Sequence, residues 1–379
     1  MKPAAQAIGA IVIAMSCGAG GYFLGKNSSN GRLPNGSAAV AREELPRLMA
    51  TRPPVPSVDP IALRAALDAE NNPLTRFKLA LLSLEGWVAK DPKGALDWLT
   101  TQQASDRRND VIRRALEQFS EIDAKGAADW ALKNLSGADL NNTLISIAEN
   151  WAEENGREAA GWFLGQPATA ERDAAIESLF FSWAANEPAV ALEFLKTNPG
   201  MEELAPILRR AALAGWAKSD PLAAVSASLT LSQANNDPEQ FANTVANWAT
   251  MDLETSSQWL LNNLPEGRER TAAAQELAVI FAQQSPDAGV AWLAKLTVGI
   301  ERDAAASALA ASWSRASPAE AAKWAMTQHG STLSPESMEA IAQNFFMKSP
   351  PAFEAWRAAL PPGPMKDQAT QVGIASGEE

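Results

Sequence analysis

Side chains suited to catalysis or metal binding are scarce in this sequence. Its 379 residues include one histidine, His329, one cysteine, Cys17, and one tyrosine, Tyr22. Cys17 lies in an apolar amino-terminal segment, so the long remainder of the chain can form neither a disulfide nor a thiolate metal site. His329 has no second histidine or nearby cysteine to act with. We therefore expect no metal, no cofactor and no nucleophilic catalysis.

Carboxylates are the remaining candidates for acid–base chemistry. A pair of Asp or Glu side chains alone can hydrolyse a glycosidic bond, and the chain has 44 acidic residues. Their pattern singles out no pair. A glycan-acting hydrolase built on a helical scaffold is therefore kept as an alternative to a function without catalysis.

Basic residues recur at related positions in the first part of the chain. Lys93, Lys125 and Arg157 follow one another at steps of 32 residues, and Lys133 adds a fourth positive charge. If the spacing reflects stacked structural units, these side chains form a ladder that can bind a carboxylate-bearing partner. The alternative is a solvated surface on which the lysines pair with acidic residues of their own helix, Lys93 with Asp97 and Lys133 with Asp129.

The elements that position these residues follow from a repeat of aromatic residues. Nine first aromatics stand 32 or 33 positions apart, and a second aromatic follows eleven residues after each of them except where Ala227 stands. The first set is Trp87, Phe119, Trp151, Trp183, Trp216, Trp248, Phe281, Trp313 and Phe345. The second set is Trp98, Trp130, Trp162, Phe194, Trp259, Trp292, Trp324 and Trp356. A fixed period of this length is typical of stacked supersecondary units.

Each period predicts two helices. Apolar residues three, four and seven positions before the first aromatic mark one face of a helix, so we interpret the aromatics as core. Four residues after the aromatic stands a short polar residue, often followed by proline, as in Asp91-Pro92. This combination is typical of a helix N-cap and first helical position. Asp59-Pro60, one period earlier, predicts that the array opens with a lone second helix.

The segment Asp91-Pro92-Lys93-Gly94-Ala95-Leu96-Asp97-Trp98 resembles the junction between tetratricopeptide repeats. The period of 32 to 33 residues is shorter than the 34 of that family, and Gln102 stands where the family has a glycine. The resemblance covers residues 59–360. It implies an all-α fold, a right-handed α-solenoid of about nine two-helix repeats, with a concave groove that binds extended segments or other proteins.

Arginines also recur with the repeat, near the start of the first helices. A surface ion pair between adjacent units is their simplest interpretation. These arginines are Arg76, Arg108, Arg172, Arg270 and Arg302.

The unit of Trp216 and Ala227 gains one residue and lacks its second aromatic, which predicts local looseness. A hinge, a groove for a partner side chain and simple drift of the repeat all stay open there.

The amino terminus carries uncharged residues from Pro3 to Gly25, a stretch long enough to span a bilayer as a helix. We expect this N-terminal membrane-anchor helix to be an uncleaved signal anchor. A lipoprotein attached through Cys17 and a cleaved signal peptide are the alternatives.

The sequence divides into four parts on this interpretation. Residues 1–25 are the signal anchor, 26–58 a flexible linker rich in Ser, Asn, Gly and Pro, 59–365 the helical repeats, and 366–379 a polar tail. The signal position of the anchor and the lack of cysteine after Cys17 favour a periplasmic or extracytoplasmic location for the repeats.

The net charge of −12 restricts the partners. An acidic surface repels phosphate backbones, so we expect no nucleic-acid binding. The sequence thus predicts a membrane-tethered scaffold that binds or organises other proteins or peptides without catalysis, and a self-associating architectural protein is a further alternative. The expected partner-binding residues are Lys93, Lys125, Lys133 and Arg157.

Overall fold

The helices of this protein alternate between two kinds, as the spacing of the aromatics predicts. The computed structural model describes residues 58–198, 201, 203–327 and 333–375, which lie in one part of the chain, 55–379. These residues form nineteen helices and no strand, so the described part is all-α. The helices are α1 Pro60–Ala69, α2 Pro73–Val88, α3 Pro92–Thr100, α4 Asp106–Ser120, α5 Ala124–Asn134, α6 Gly137–Leu164, α7 Ala170–Asn186, α8 Pro188–Thr197, α9 Ala205–Ser219, α10 Pro221–Asn235, α11 Pro238–Met251, α12 Leu253–Asn263, α13 Arg268–Gln284, α14 Pro286–Leu293, α15 Ile300–Ala316, α16 Pro318–Thr327, α17 Pro335–Lys348, α18 Pro350–Ala359 and α19 Pro364–Ala375.

Consecutive first and second helices form nine hairpins, which we number from the one that contains Trp87. Hairpin 1 is α2 with α3, hairpin 2 is α4 with α5, and hairpin 3 lies entirely in α6, whose backbone is broken at Asn155. Hairpins 4 to 9 are the successive pairs from α7 with α8 to α17 with α18. The lone helix α1 precedes hairpin 1 and is capped by Asp59, as expected from the sequence.

A single junction residue links the two helices of each hairpin. In hairpin 1 the N–H of Asp91 donates to the Trp87 carbonyl over 2.8 Å, and the Asp91 carbonyl accepts from the N–H of Ala95. All nine junction residues have φ between −158° and −128° and ψ between 61° and 88°. They are Asp91, Asp123, Asn155, Glu187, Asp220, Asp252, Ser285, Ser317 and Ser349. Because the turn is the same each time, a residue at a given distance after the junction has an equivalent place in every hairpin.

The N-cap role predicted for the junction residues is confirmed at some hairpins and not at others. The Asp91 and Asp123 carboxylates accept from the N–H three residues later over 3.0 and 2.7 Å. Asn155, Asp220 and Asp252 do the same. The side chains of Glu187, Ser285 and Ser349 make no such bond. At those three positions the backbone turn forms without help from a cap.

We expect Asp123→Ala to lower the free energy of unfolding by about 1 kcal/mol, because the variant leaves a helix N–H without its acceptor. Urea denaturation followed by far-UV circular dichroism measures the loss. Ser349→Ala is the matched control, since Ser349 has the same backbone conformation and no side-chain cap bond. Equal losses in the two variants would show that the cap bond is not what stabilises the junction.

The aromatic residues form the core, as predicted. Eight of the nine first aromatics are buried, and Trp87 and Trp183 are each only 1% exposed. In seven hairpins the first and second aromatic rings pack with their centroids 5.2 to 6.1 Å apart. These pairs leave no row of free aromatic faces for stacking a ligand, because each ring is packed against another inside its own hairpin.

The helices pack in a regular order. Each first helix contacts the first helix of the next hairpin, from α2 with α4 through to α17 with α19. Each second helix contacts its own first helix and the first helix that follows, as α3 does with α2 and α4. Neighbouring hairpins therefore supply each other's apolar contacts, as the period predicts.

The recurring arginines close loops instead of forming the expected surface ion pairs. Arg76, Arg108, Arg172 and Arg270 each donate to the backbone carbonyl six residues earlier, over 2.6 to 3.1 Å, and Lys366 does the same. The accepting carbonyls lie at or just beyond the carboxyl end of the preceding second helix, where a positive charge is favourable. Arg302 makes no such bond to the described residues. Within the described ranges, one ion pair joins a member of this set to the next hairpin, Arg270 with Glu301, and it is buried.

Hairpin 5 interrupts the core. Trp216 is only half-buried, because Ala227 replaces the ring that would cover it. The buried apolar residues form two clusters, one ending at Ala212 and the other beginning at Val225. Helix α10 continues to Asn235 and is 15 residues long, whereas the separate second helices of the other hairpins have eight to eleven. The irregularity of the sequence thus coincides with a break in the apolar core.

The carboxyl end is more ordered than the sequence suggests. A polar tail was expected from residue 366, but residues 366–375 belong to α19, which packs on α17 and buries Ala369 and Val372. The polar composition of this segment conceals two apolar positions three residues apart on one helical face. Helix α19 is therefore a lone first helix that covers the last hairpin.

Several expectations fall outside the described residues. These include the anchor over 1–25 with Cys17, the linker up to residue 57, and His329. Within the described ranges, no helix combines the length and apolar character needed to cross a membrane.

Candidate functional site

The four predicted partner-binding residues all lie on second helices. Lys93 is on α3, Lys125 and Lys133 are on α5, and Arg157 is in the second half of α6, and all four side chains are exposed. Three of them stand two positions after their junction residues, Asp91, Asp123 and Asn155. The uniform turn gives these three equivalent places in hairpins 1 to 3.

The ion pairs that would explain these residues as an ordinary solvated surface do not form. Among the described residues, no salt bridge involves Lys93, Lys125 or Lys133. Asp97, the expected partner of Lys93, instead accepts a 2.8 Å hydrogen bond from the Trp130 indole of the next hairpin. The ammonium groups of Lys93 and Lys125 therefore have no carboxylate partner in the part of the chain that the structure describes.

Arg157 differs from the lysines. Its guanidinium carbon lies 5.6 Å from the centre of the Phe194 ring in hairpin 4. A cation over an aromatic face in this way contributes about 0.5 to 1 kcal/mol at an exposed site. The contact fixes the direction of the side chain, yet the residue stays exposed and can still meet a carboxylate.

The positions of these cations are unfavourable for the helices that carry them. The second residue of a helix lies at the positive end of the helix dipole, where a cation costs about 0.3 to 1 kcal/mol. The junction carboxylates at Asp91 and Asp123 offset part of this cost. Helix stability therefore provides no reason for Lys93, Lys125 or Arg157.

The same register defines a longer row of exposed side chains, which we call the junction row. It consists of the residue two positions after each junction residue and after Asp59. Its members are Ile61, Lys93, Lys125, Arg157, Ala189, Leu222, Glu254, Asp287, Ala319 and Pro351, all of them exposed. The later members were visible in the sequence, where only the basic part was singled out. The large apolar side chain of Leu222 is 54% exposed.

Two carboxylates line one groove of the described part of the chain. An open groove of about 530 Å³ along α13, α15 and α17 contains two carboxylates, Asp303 and Glu336. A general acid needs a raised pKa, but hydrogen bonds from its own backbone N–H and from the Ser334 hydroxyl lower the pKa of Glu336. Glu336 is therefore poorly suited to protonating a leaving group.

Raised carboxyl pKa values occur elsewhere on the first helices. Burial raises the pKa of Glu177, against the opposing effect of Arg210. Burial and the negative charge of Glu239 raise the pKa of Glu276. Neither Glu177 nor Glu276 lines the groove of Asp303 and Glu336. Within the described ranges there is also no cluster of three side chains suited to a metal ion.

Comparison of the chain with protein-family models, with curated proteins and with solved structures gave no significant match.

Proposed function

We propose that this chain is a membrane-tethered scaffold that binds other proteins or peptides and performs no catalysis. On this proposal its hairpins stack as a right-handed α-solenoid of the tetratricopeptide-like kind. The support for stacking is the packing order, in which each first helix from α4 to α17 contacts the first helix before it and the one after it. The tether is the apolar segment 3–25, which places the repeats on the periplasmic side, or else a lipid on Cys17.

The basic part of the junction row, Lys93, Lys125 and Arg157 together with Lys133, is the proposed docking site. A carboxylate-bearing partner fits it, because ammonium and guanidinium groups bind carboxylates through charge-assisted hydrogen bonds. The observation that carries the proposal is the recurrence of exposed cations at a helix position that disfavours them. Two of them, Lys93 and Lys125, also have no ion-pair partner among the described residues.

We expect a variant with Lys93→Glu, Lys125→Glu and Arg157→Glu to lose its partner while remaining folded. The three changes place negative charge at the positive end of a helix dipole, which favours the helices. The stabilising contact that they remove is that of Arg157 with Phe194, about 0.5 to 1 kcal/mol. Crosslinking and pull-down from native membranes, with the intact chain and the variant side by side, measures the loss.

The matched control reverses the same amount of charge on the other helix layer. Lys78, Arg114 and Arg315 are exposed residues of the first helices α2, α4 and α15, and changing them to Glu is expected to leave the partner bound. Equal recovery of the partner by all three proteins would count against the docking site. Loss in both variants would indicate a response to net charge and not to this surface.

A further inference from the structure

The charges of the junction row are complementary, in part, to those of the same row running in the opposite direction. It begins with apolar Ile61, continues with three cations, passes through apolar Ala189 and Leu222, and turns to the anions Glu254 and Asp287. It ends with apolar Ala319 and Pro351. Arg157 and Glu254 therefore lie at equal distances from the apolar centre at hairpins 4 and 5, and so do Lys125 and Asp287. The position that matches Lys93 is occupied by apolar Ala319.

We propose that the junction row is the interface of an antiparallel homodimer, so that the partner of the basic residues is a second copy of this chain. The proposal rests on the proposed function, since it names the partner for the same docking site. A two-fold axis between hairpins 4 and 5 places hairpin 3 opposite hairpin 6 and hairpin 2 opposite hairpin 7. Arg157 then faces Glu254, and Lys125 faces Asp287. Each contact occurs twice, as an isologous interface requires.

The centre and the ends of the row match in the same arrangement. Hairpins 4 and 5 face each other across the axis, which brings Leu222 and the adjacent Val190, 54% and 39% exposed, into the middle of the interface. At the ends, α1 faces hairpin 9, so that Ile61, 83% exposed, lies opposite Pro351. An apolar centre flanked by charged pairs is the usual anatomy of a protein interface.

Charges beside the row are complementary as well. Hairpin 1 presents Lys93 and Asp97 to hairpin 8, which presents Glu320 and Lys323, and all four are exposed. The acid that neighbours Lys93 of one copy thus has a cation opposite it in the other. A carboxylate partner unrelated to this chain would not account for this reversed pair.

The row is long enough for a stable interface. Helices that pack side by side are about 8 to 10 Å apart, and the row spans ten second helices in the described part of the chain. A stable complex needs about 1,200 to 2,000 Å² of total buried surface, which a strip of that length and about two residues in width can supply.

Charge exchange tests the dimer. One variant carries Lys125→Glu with Arg157→Glu, and the other carries Glu254→Lys with Asp287→Lys. In the detergent-solubilised full chain, followed by analytical ultracentrifugation at about physiological salt, we expect a self-associating wild type. We expect each variant alone to associate at least about tenfold more weakly. In its dimer the pair 125 with 287 and the pair 157 with 254 carry like charges, and each pair occurs twice. An equimolar mixture of the two variants is expected to regain the wild-type affinity, since every opposed pair is again of opposite sign.

The mixture distinguishes the loss of an interface contact from misfolding of the variants, because misfolded chains would not regain association when mixed. A monomeric wild type, or variants that associate as tightly as wild type, would overturn the dimer. Weak variants that are not restored by mixing would overturn it as well. If the wild type is monomeric but the pull-down partner is lost on reversal of Lys93, Lys125 and Arg157, the proposed function holds and the dimer fails. If neither self-association nor a partner is found, both fail.

Discussion

Replacing Gly215 with alanine is expected to lower the free energy of unfolding by about 3 kcal/mol. Gly215 lies in α9, and a Cβ atom built on it would be 1.9 Å from the carbonyl oxygen of Phe181 in α7. The obstacle is backbone, so no side-chain rotation can relieve it. The variant must push the two helices apart, and the tightly packed first-helix layer has no free volume to absorb the movement.

Gly161→Ala is the matched control for this prediction. Gly161 is a glycine of α6 whose added Cβ would meet no atom within 4 Å. Alanine there is expected to stabilise the protein by up to about 1 kcal/mol through its helix propensity. Urea denaturation of both variants and the wild type, followed by circular dichroism, gives the two changes. Opposite signs are expected, and a Gly215→Ala variant as stable as wild type would mean that α7 and α9 are not in backbone contact.

The hairpins could be predicted from the sequence because their signals are local. The aromatic period, the polar residue four positions later and the proline after it each report a helix face or a helix end. These signals located all nine junction residues, including Asn155, where the backbone of α6 is broken. The same local view also explains why hairpin 5 was recognised as irregular at Ala227.

Other features depend on contacts that no local pattern reports. The arginines at the start of the first helices bind carbonyl groups across a loop, which the spacing of charged residues alone does not reveal. The apolar face of α19 is only two residues wide, and its polar neighbours conceal it. An isolated glycine within a helical pattern, such as Gly215, signals a packing constraint without naming the partner helix.

The candidate site was partly predictable for a related reason. The register that placed Lys93, Lys125 and Arg157 in one row comes from the period, and the structure adds the identical junction turn that makes the positions equivalent. The sequence could not predict which contacts each of these side chains makes. The missing Lys93–Asp97 pair and the contact of Arg157 with Phe194 depend on how neighbouring hairpins approach each other.

Removal of the Arg270 side chain is expected to produce the largest loss of stability among the charged residues. Arg270 and Glu301 join hairpins 7 and 8 through a 2.9 Å contact between Nε and Oε1, with side chains only 11% and 8% exposed. Arg270 also donates to the Leu264 carbonyl over 2.7 Å, while the second carboxylate oxygen of Glu301 has no partner among the described residues. Arg270→Met leaves a buried negative charge uncompensated. Breaking a buried pair in this way costs about 3 to 5 kcal/mol.

Two further variants separate the charge effect from the loss of the loop contact. Arg172 makes the same bond to a carbonyl six residues earlier, but its carboxylate partner Asp173 is 39% exposed and remains hydrated when the arginine is lost. Arg172→Met is therefore expected to cost only about 1 to 2 kcal/mol. In the double variant Arg270→Met and Glu301→Met no buried charge is left, and most of the lost stability should return. A double variant as unstable as Arg270→Met alone would show that the stability depends on the carbonyl bond to Leu264, which joins α13 to the loop after α12, and not on the ion pair.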